Sequence, residues 1–281
     1  MAAQQTRTSP KVREARVVST RRITPHMVRL VLGGDGAAGL DADEFTDHYV
    51  KLLFAPEGVS YAEPFDLDRI RAELPREQWP TSRTYTVREW NRAAGEMTID
   101  FVVHGSEGLA GPWAAAVQPG ETVRFLGPGG SYTPDPAADW HLLVGDESAL
   151  PAIAASVERA PEGARMVVLL EVEGPDEELK IAAPPGADIV WLHRGERPFG
   201  AALVTAVRAL EFPPGDVHAF VHGEAGFVKE LRRHLRQDRA IPRERLSISG
   251  YWRLGQNDEA WRAVKREWNE QVEREQESPA A

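Results

Sequence analysis

The sequence predicts a β + α/β fold, with an N-terminal antiparallel β-barrel followed by a C-terminal parallel α/β domain. Short β-branched and aromatic runs, separated by Gly, Pro, Asp and Asn, fill the first half. Compact apolar runs that alternate with helical patterns fill the second half. Pro, Asp and Ala cluster at 134–139, which predicts domains over residues 1–136 and 137–281.

The first half contains six predicted strands, at 12–18, 27–32, 49–54, 83–89, 97–103 and 122–127. Their regular spacing is typical of a small antiparallel barrel. A proline-rich excursion over 55–81 interrupts the series and contains a predicted short helix at 67–74. A second short helix is predicted at 108–117.

The second half contains five predicted strands, at 140–144, 165–172, 189–193, 217–222 and 245–249. Helical patterns lie between them at 149–159, 201–210 and 227–236, as crossover helices of a parallel sheet would. The tail over 258–275 predicts an amphipathic helix, capped by Asn257 or Asp258. Such a helix could pack on its own domain or on a second copy, so the sequence allows a monomer or a homodimer.

Composition excludes several classes of function. The 281 residues include no cysteine, which excludes thiolate nucleophiles, thiolate zinc sites and cysteine-ligated iron–sulfur clusters. The net charge of −10 argues against nucleic acid or an anionic membrane as a partner. No apolar run approaches the ~20 residues that span a bilayer, and the first residues do not resemble a secretory signal. We therefore expect a cytoplasmic location.

The most informative segment is the predicted strand that runs from Arg83 to Arg88. Its alternation places Tyr85 and Val87 on one face and Thr86 on the other. An aromatic ring between two guanidiniums suits a large, flat, anionic ligand such as a flavin nucleotide, since the ring can stack and the arginines can bind phosphate. An ordinary amphipathic strand with solvated arginines is the alternative.

A glycine-rich turn follows the next strand. Gly108 and Gly111 would let the backbone approach a ligand closely, and the helix start that follows offers N–H groups to a pyrophosphate. A plain turn before a helix explains the same residues. Its position one strand after the Arg83 segment favours a ligand.

The α/β half opens with a strand that ends at Gly145 and leads through Asp146 and Glu147 into a helix. This is where α/β sheets bind nucleotides, but G-x-G-x-x-G is absent and the two carboxylates would repel a phosphate. Acidic residues after the second strand favour NAD, whereas Arg194 after the third would favour NADP, so coenzyme preference stays open. The spacing of the eight histidines indicates no metal site.

Four motifs occur in order: Arg-x-Tyr-Thr-x-Arg from Arg83, the His104 to Trp113 stretch, Gly-Asp-Glu-Ser-Ala-Leu-Pro-Ala from Gly145, and Gly-Tyr-Trp-Arg-x-Gly ending at Gly255. Together they resemble the siderophore-interacting proteins, a branch of the ferredoxin-reductase-like flavoproteins. The resemblance covers about residues 12–261. Ser148 departs from it, because the family usually has threonine there.

The resemblance implies bound FAD and NAD(P)H as the electron donor, with Thr86 in the catalytic position beside the flavin ring. The implied FAD-binding strand residues are Arg83, Tyr85, Thr86, Val87 and Arg88. The implied residues at the flavin edge and pyrophosphate are Asp100, Phe101, Val103, His104, Gly108, Leu109, Ala110, Gly111 and Trp113. The implied coenzyme and flavin neighbours in the second half are Gly145, Asp146, Glu147, Ser148, Tyr251 and Trp252.

The function that the resemblance implies is reduction of a ferric siderophore, with release of iron as Fe(II). A ferric tris-catecholate is anionic, so the cleft should be locally basic, and the candidate substrate-binding cations are Lys51, Arg88 and Arg253. A flavin reductase with another electron acceptor is one alternative. A ferric-siderophore carrier with a vestigial coenzyme site is the other.

Overall fold

The computed structural model describes residues 11–40, 44–105 and 108–277. Ser106 and Glu107 of the glycine-rich turn, like the first ten residues, therefore lie outside the described chain. The strands of the first sheet are β1 (Arg13–Thr24), β2 (Met27–Gly33), β3 (Tyr49–Phe54), β4 (Thr81–Thr86), β5 (Glu89–Asn91), β6 (Glu96–Val102) and β7 (Thr122–Gly129). They form an antiparallel sheet in the order β4-β3-β7-β1-β2-β6-β5.

The inner face of this sheet is apolar because alternate residues of each strand point inward. Leu30, Leu52, Ile99 and Phe125 are fully buried there. β4 also contacts β6. The sheet thus curls into the predicted barrel, and the short helices α1 (Asp35–Ala38), α2 (Leu67–Glu73) and α3 (Ala110–Ala116) lie between its strands.

The predicted strand over 83–89 is wrong at its end, because β4 stops at Thr86. The Val87 N–H still bonds the His48 carbonyl at 2.7 Å, but the next N–H, of Arg88, bonds the Thr98 carbonyl of β6 at 2.8 Å. The chain therefore changes its hydrogen-bonding partner within two residues. The side-chain alternation continues through the change, which is why the sequence pattern does not reveal it.

The second sheet is parallel, as predicted. Its strands are β8 (Trp140–Gly145), β9 (Met166–Val172), β10 (Ala187–His193), β11 (Val217–Glu224) and β12 (Leu246–Trp252), in the order β10-β9-β8-β11-β12. This is the strand order of dinucleotide-binding α/β sheets, whose ligands bind where the order reverses, here between β8 and β11. The crossover helices are α4 (Leu150–Glu158), α5 (Ala201–Ala209) and α6 (Ala225–Arg233).

The chain ends in the predicted amphipathic helix, α7 (Asp258–Glu277). Asn257 caps it, since its side-chain oxygen accepts the Ala260 N–H at 2.8 Å. Trp261 and Val272 are buried, and Gln276 bonds to α6 and to the turn that follows it. The helix packs on its own α/β domain. None of the helices in the described chain is long and apolar enough to cross a bilayer.

Candidate functional site

The register of β3 and β4 decides which of the predicted residues share a face. Thr86 lies opposite Tyr49, and Lys51 lies opposite Thr84. Directly paired residues in a sheet point the same way, so Lys51 and Thr86 lie on one face, as diagonal neighbours. Tyr85 lies opposite the buried Val50 and therefore points to the other face.

Tyr85 belongs to an aromatic group that links β4 to the glycine-rich turn. Its ring centroid lies 4.3 Å from that of Phe101, which in turn lies 5.8 Å from Trp113. Burial raises the pKa of the Tyr85 hydroxyl, so this group is neutral at every physiological pH. Phe101 is fully buried, and the ring of the half-buried Tyr85 packs against it.

Arg83 makes all its hydrogen bonds within the described chain through one nitrogen. Nη1 donates to Glu259 Oε1 at 2.5 Å and to the Ser82 carbonyl at 3.2 Å, and it lies 3.3 Å from Asp258 Oδ2. Nε and Nη2 have no partner among the described residues. The Nε–Nη2 edge of the guanidinium is the edge that can bind an oxyanion through two hydrogen bonds.

The carboxylate of Asp100 has a partner within the barrel, while the expected place of its strand at the flavin edge stays a prediction. Both of its oxygens are taken by Arg29, at 2.6 and 2.7 Å, in a bidentate pair between β6 and β2. The carboxylate is buried and structural in this arrangement. Sequence analysis missed Arg29, although it lies directly opposite Asp100 in an antiparallel pair, where opposite charges attract. Val103 is buried, and His104 is exposed at the end of the strand.

The glycine-rich turn is open on one side and tight on the other. Gly108 has φ +88°, a conformation that favours glycine, and a Cβ there would meet no atom within 4 Å. A Cβ on Gly111 would lie 3.1 Å from the Val102 carbonyl, so the start of α3 approaches β6 closely. Leu109 and Trp113 are half-buried and Ala110 is buried. The turn thus has open space beside Gly108, and at Gly111 it packs closely against β6.

Arg88 forms an ion pair with the first crossover helix of the parallel sheet. Its Nη2 donates to Glu158 of α4 at 2.7 Å, and its side chain is only 10% exposed. The change of strand partner after Thr86 carries Arg88 to the contact between the barrel and α4. The ion pair uses Nη2 only, and Nε is buried without a hydrogen-bond partner in the described chain, so the assignment of Arg88 as a flavin- and substrate-binding cation stays a prediction.

Asp146 is the centre of a buried hydrogen-bond network where the strand order reverses. Oδ1 accepts the Ser148 N–H at 2.9 Å and the Ser148 hydroxyl at 2.5 Å. Oδ2 accepts the Glu224 N–H at 2.8 Å and the Trp252 indole N–H at 2.9 Å. The residue is 1% exposed. Each carboxylate oxygen already accepts two hydrogen bonds. Asp146 would therefore act on a bound coenzyme indirectly, by holding Ser148 and Trp252 in place.

Glu147 lies beside this network and faces Arg194, with 2.9 Å between Oε1 and Nη1. Burial and the nearby Asp146 charge raise the pKa of Glu147 to about 6, against the opposing effect of Arg194. The Arg194 guanidinium also lies 4.1 Å from the centroid of Phe199, whose ring packs edge-on against Trp252 at 5.0 Å. Arg194 is thus occupied by protein groups.

The motif at the end of β12 supplies two further candidates. Tyr251 is half-buried with its ring 4.8 Å from His222, and burial raises the pKa of its hydroxyl. Arg253 lies 6.0 Å from the ring centroid of Trp268 and forms no ion pair within residues 11–40, 44–105 and 108–277. Lys51 likewise has no hydrogen-bond or ion-pair partner in those ranges. Both cations are available to an anionic ligand.

Sequence analysis missed Glu224, which is buried at the carboxyl end of β11, while Glu171, at the end of β9, belongs to the acidic stretch expected to favour NAD. Glu224 Oε2 accepts the N–H groups of Gly226 and Phe227 and so caps α6. Glu171 accepts the Gly200 N–H at 2.7 Å. The sequence does contain a signal for Glu224, because it is an acidic residue at the end of an apolar strand and directly before a helix.

One cluster of histidine and carboxylates lies elsewhere, between the β1–β2 turn and the loop after β9. His26 Nδ1 lies 2.7 Å from Glu177 and 3.1 Å from Glu173, and Glu177 also accepts the Thr24 hydroxyl at 2.5 Å. Spacing along the sequence did not predict this group. The hydrogen bonds within this cluster join the first sheet to the loop after β9, so the cluster is explained as a structural contact between the two sheets.

The two halves of the candidate site meet through the start of α7. β12 ends at Trp252, and six residues later Asp258 and Glu259 contact Arg83 of β4. Arg262 adds hydrogen bonds to the Ser82 carbonyl and hydroxyl, at 2.7 and 2.8 Å. The carboxyl end of the parallel sheet is therefore joined to the strand that carries Arg83, Tyr85 and Thr86.

Two family models match the chain. Residues 16–132 match the siderophore-interacting FAD-binding domain, and residues 138–255 match the siderophore-interacting protein model. The chain belongs to the siderophore-interacting protein family. A ferric vibriobactin reductase of Vibrio cholerae, ViuB, is 34% identical over 251 residues, which are 87% of this chain and 90% of ViuB. An NADPH-dependent ferric-chelate reductase of Escherichia coli is 29% identical over 252 residues, 89% of this chain and 96% of that protein.

Solved structures agree with the fold. A siderophore utilization protein from T. fusca is 40% identical with a TM-score of 0.77, over 88% of this chain and 95% of that one. The ferredoxin reductase in carbazole 1,9a-dioxygenase shares the fold at 17% identity, with a TM-score of 0.62 over 88% of this chain and 70% of that one. The predicted family, ferredoxin-reductase-like fold and FAD cofactor are confirmed, as is the class of flavin-dependent oxidoreductase.

Proposed function

We propose that this siderophore-interacting protein is an NAD(P)H-dependent, FAD-containing ferric-siderophore reductase that releases iron as Fe(II) in the cytoplasm. One observation carries the proposal: β4, with its open guanidinium edge and Thr86, is joined to the carboxyl end of a parallel sheet that has dinucleotide-binding strand order. The names of the two reductase relatives support it. We assign the flavin to residues 1–136 and the coenzyme to residues 137–281.

The residues present fit FAD. Arg83 offers to a phosphate an Nε–Nη2 edge that has no partner in the described chain. The Tyr85 ring is neutral and packs against the buried Phe101 ring, so it can stack on a flavin. The turn at Gly108 has room for a ligand. Thr86 follows Tyr85 directly at the end of β4, and we assign its hydroxyl to a heteroatom of the flavin ring. Leu109, Gly111 and Trp113 would complete the pyrophosphate side of the site.

The coenzyme would lie at the carboxyl ends of β8 and β12. Gly145 ends β8, where a Cβ would meet Ala149 at 2.6 Å, so the strand and the start of α4 are in contact. Ser148 and Trp252 are fixed by Asp146 and form the wall of the site, with Tyr251 beside them. When bound, FAD supplies the exchange between hydride transfer from a nicotinamide and single-electron transfer to ferric iron.

The ferric siderophore is the substrate, and its anionic chelate needs cations. Lys51 lies on the same face of the barrel sheet as Thr86, and Arg253 belongs to the motif at the end of β12, so we assign one cation to each domain. Neither needs to leave an ion pair to bind the chelate. Reduction to Fe(II) weakens the hold of hard oxygen ligands on iron, which frees the metal.

Stopped-flow reoxidation tests the proposal. Purified protein should show flavin absorption, and anaerobic NADH or NADPH should bleach it. Ferric tris-catecholate chelates should then reoxidise the reduced protein faster than dissolved oxygen does. If no ferric chelate accelerates reoxidation, the acceptor is another molecule and the reductase assignment is wrong. If neither coenzyme bleaches the flavin but dithionite does, the coenzyme assignment is wrong, and the result supports the carrier alternative.

A further inference from the structure

The first turn of α7 brings two carboxylates to an arginine on the other sheet. Asp258 and Glu259 both contact Nη1 of Arg83, at 3.3 and 2.5 Å. The Arg83 side chain is only 15% exposed, and its other two nitrogens have no partner among the described residues. The carboxylates therefore fix the guanidinium from one end and leave its Nε–Nη2 edge turned away from them.

We infer that Asp258 and Glu259 are positioning residues of the FAD site, which orient Arg83 so that its Nε–Nη2 edge binds the FAD diphosphate. The inference rests on the proposed function, because it takes Arg83 as a phosphate ligand. A guanidinium on a flexible stem loses side-chain entropy when it binds, and a partner that already holds it reduces that loss. The tail helix thus becomes part of a site that the barrel otherwise forms.

The start of α7 is rigid enough for this role. Trp261 is buried, and a Cβ on Gly250 of β12 would lie 3.3 Å from its ring, so the helix start is packed directly on the parallel sheet. Asn257 caps the helix, and Arg262 holds the backbone and hydroxyl of Ser82, the neighbour of Arg83. The backbone that carries both carboxylates is therefore fixed with respect to β4 by contacts that do not involve Arg83.

Repulsion between the two carboxylates and the FAD diphosphate weakens FAD binding and so opposes the positioning effect. Two features favour the positioning effect. Glu259 is 55% exposed, so water and salt screen its charge toward a ligand, whereas the buried Asp258 Oδ2 is balanced by Arg83 and by Arg262, at 3.3 and 3.6 Å. Both carboxylates contact the Nη1 end of Arg83, so the guanidinium itself lies between them and an oxyanion on its far edge.

FAD titration of the full-length apoprotein, followed by flavin fluorescence, tests the inference. The double variant Asp258→Asn with Glu259→Gln should bind FAD about tenfold more weakly, as loss of supporting residues around a ligand group commonly does. The variant Glu275→Gln is the matched control, because it removes another α7 ion pair, with Lys229, far from Arg83. It should bind FAD with the wild-type Kd.

The Arg83→Lys background separates positioning from a general effect of charge. A lysine has no second edge to orient, so the carboxylate substitutions should change FAD affinity less than twofold in that background. Thermal unfolding of the apoproteins identifies variants that simply destabilise α7. Wild-type FAD binding with an unchanged or tighter Kd in the double variant would overturn the inference alone. Absence of FAD binding by the wild-type protein would instead overturn the proposed function.

Discussion

The Trp252 indole donates a hydrogen bond of 2.9 Å to the buried carboxylate of Asp146, which joins the end of β12 to the end of β8. The strand between them, β11, is joined to the same carboxylate through the Glu224 N–H. One side chain therefore ties together three neighbouring strand ends. The loops that follow these strands form the proposed coenzyme wall, so its shape depends on a residue that is itself out of a ligand's reach.

Replacing Asp146 with Asn should destabilise the α/β domain by about 1–3 kcal/mol, since an amide nitrogen would face N–H donors that lose their acceptor. Urea unfolding measures the loss, and near-UV circular dichroism should show a less ordered tryptophan. Trp252→Phe removes only one of the four donors and is the control, with a smaller loss expected. Wild-type stability of Asp146→Asn would show that the network is dispensable.

The sequence is sufficient to predict most of the fold because each half has its own hydrophobic period. Alternation predicts the barrel strands, and apolar runs between helices predict the parallel ones. Arg88 shows the limit of that reasoning. Its position in the alternation is the one expected, but the strand changes partner after Thr86, and backbone pairing of that kind has no signature in a single strand.

Asp146 and Glu259 show a second limit. In the sequence Asp146 is a charge that would repel a phosphate, and Glu259 has no assigned role. Their roles depend on donors from distant segments, namely the Trp252 indole and the Arg83 guanidinium. A carboxylate that accepts several hydrogen bonds and one that is exposed look identical in sequence, so only tertiary structure separates them.

Buried histidines should make the protein sensitive to acid. Burial lowers the pKa of His141 to about 4 and that of His222 to about 3, below the value of about 6.5 in an unfolded chain. As the pH falls below 6.5 the unfolded chain takes up these protons first. The free energy of unfolding should therefore decline by up to about 1.4 kcal/mol per pH unit for each histidine, down to its folded pKa.

Urea unfolding between pH 7.5 and 4.5 measures this dependence. The raised pKa of Glu147 acts in the opposite direction between about pH 6 and 4.5, because the folded state then gains a proton first. The difference between wild type and His141→Phe removes that contribution and isolates one histidine. Parallel pH profiles for the two proteins would contradict the prediction.

The ion pair between Arg88 and Glu158 should stabilise the contact between barrel and α4. Replacing Glu158 with Gln leaves a 10%-exposed guanidinium without its counter-charge, which should cost about 1–2 kcal/mol. FAD affinity should stay within twofold of wild type, since Glu158 is not among the residues assigned to FAD. A large loss of FAD affinity without a loss of stability would show that this ion pair holds Arg88 in the flavin site.

The cations Lys51 and Arg253 should bind the anionic substrate. Replacing either with Gln removes a charge that has no ion-pair partner within the described chain, so the folded state loses little. We expect KM for a ferric tris-catecholate to rise about three- to tenfold, a loss of roughly 1 kcal/mol, with kcat nearly unchanged. The increase should shrink in high salt, which screens these charges.

Lys180→Gln is the matched control, since it makes the same charge change on an exposed loop. A neutral ferric chelate should show no change with either variant. Equal effects on neutral and anionic chelates would mean that these residues shape the cleft rather than attract charge to it.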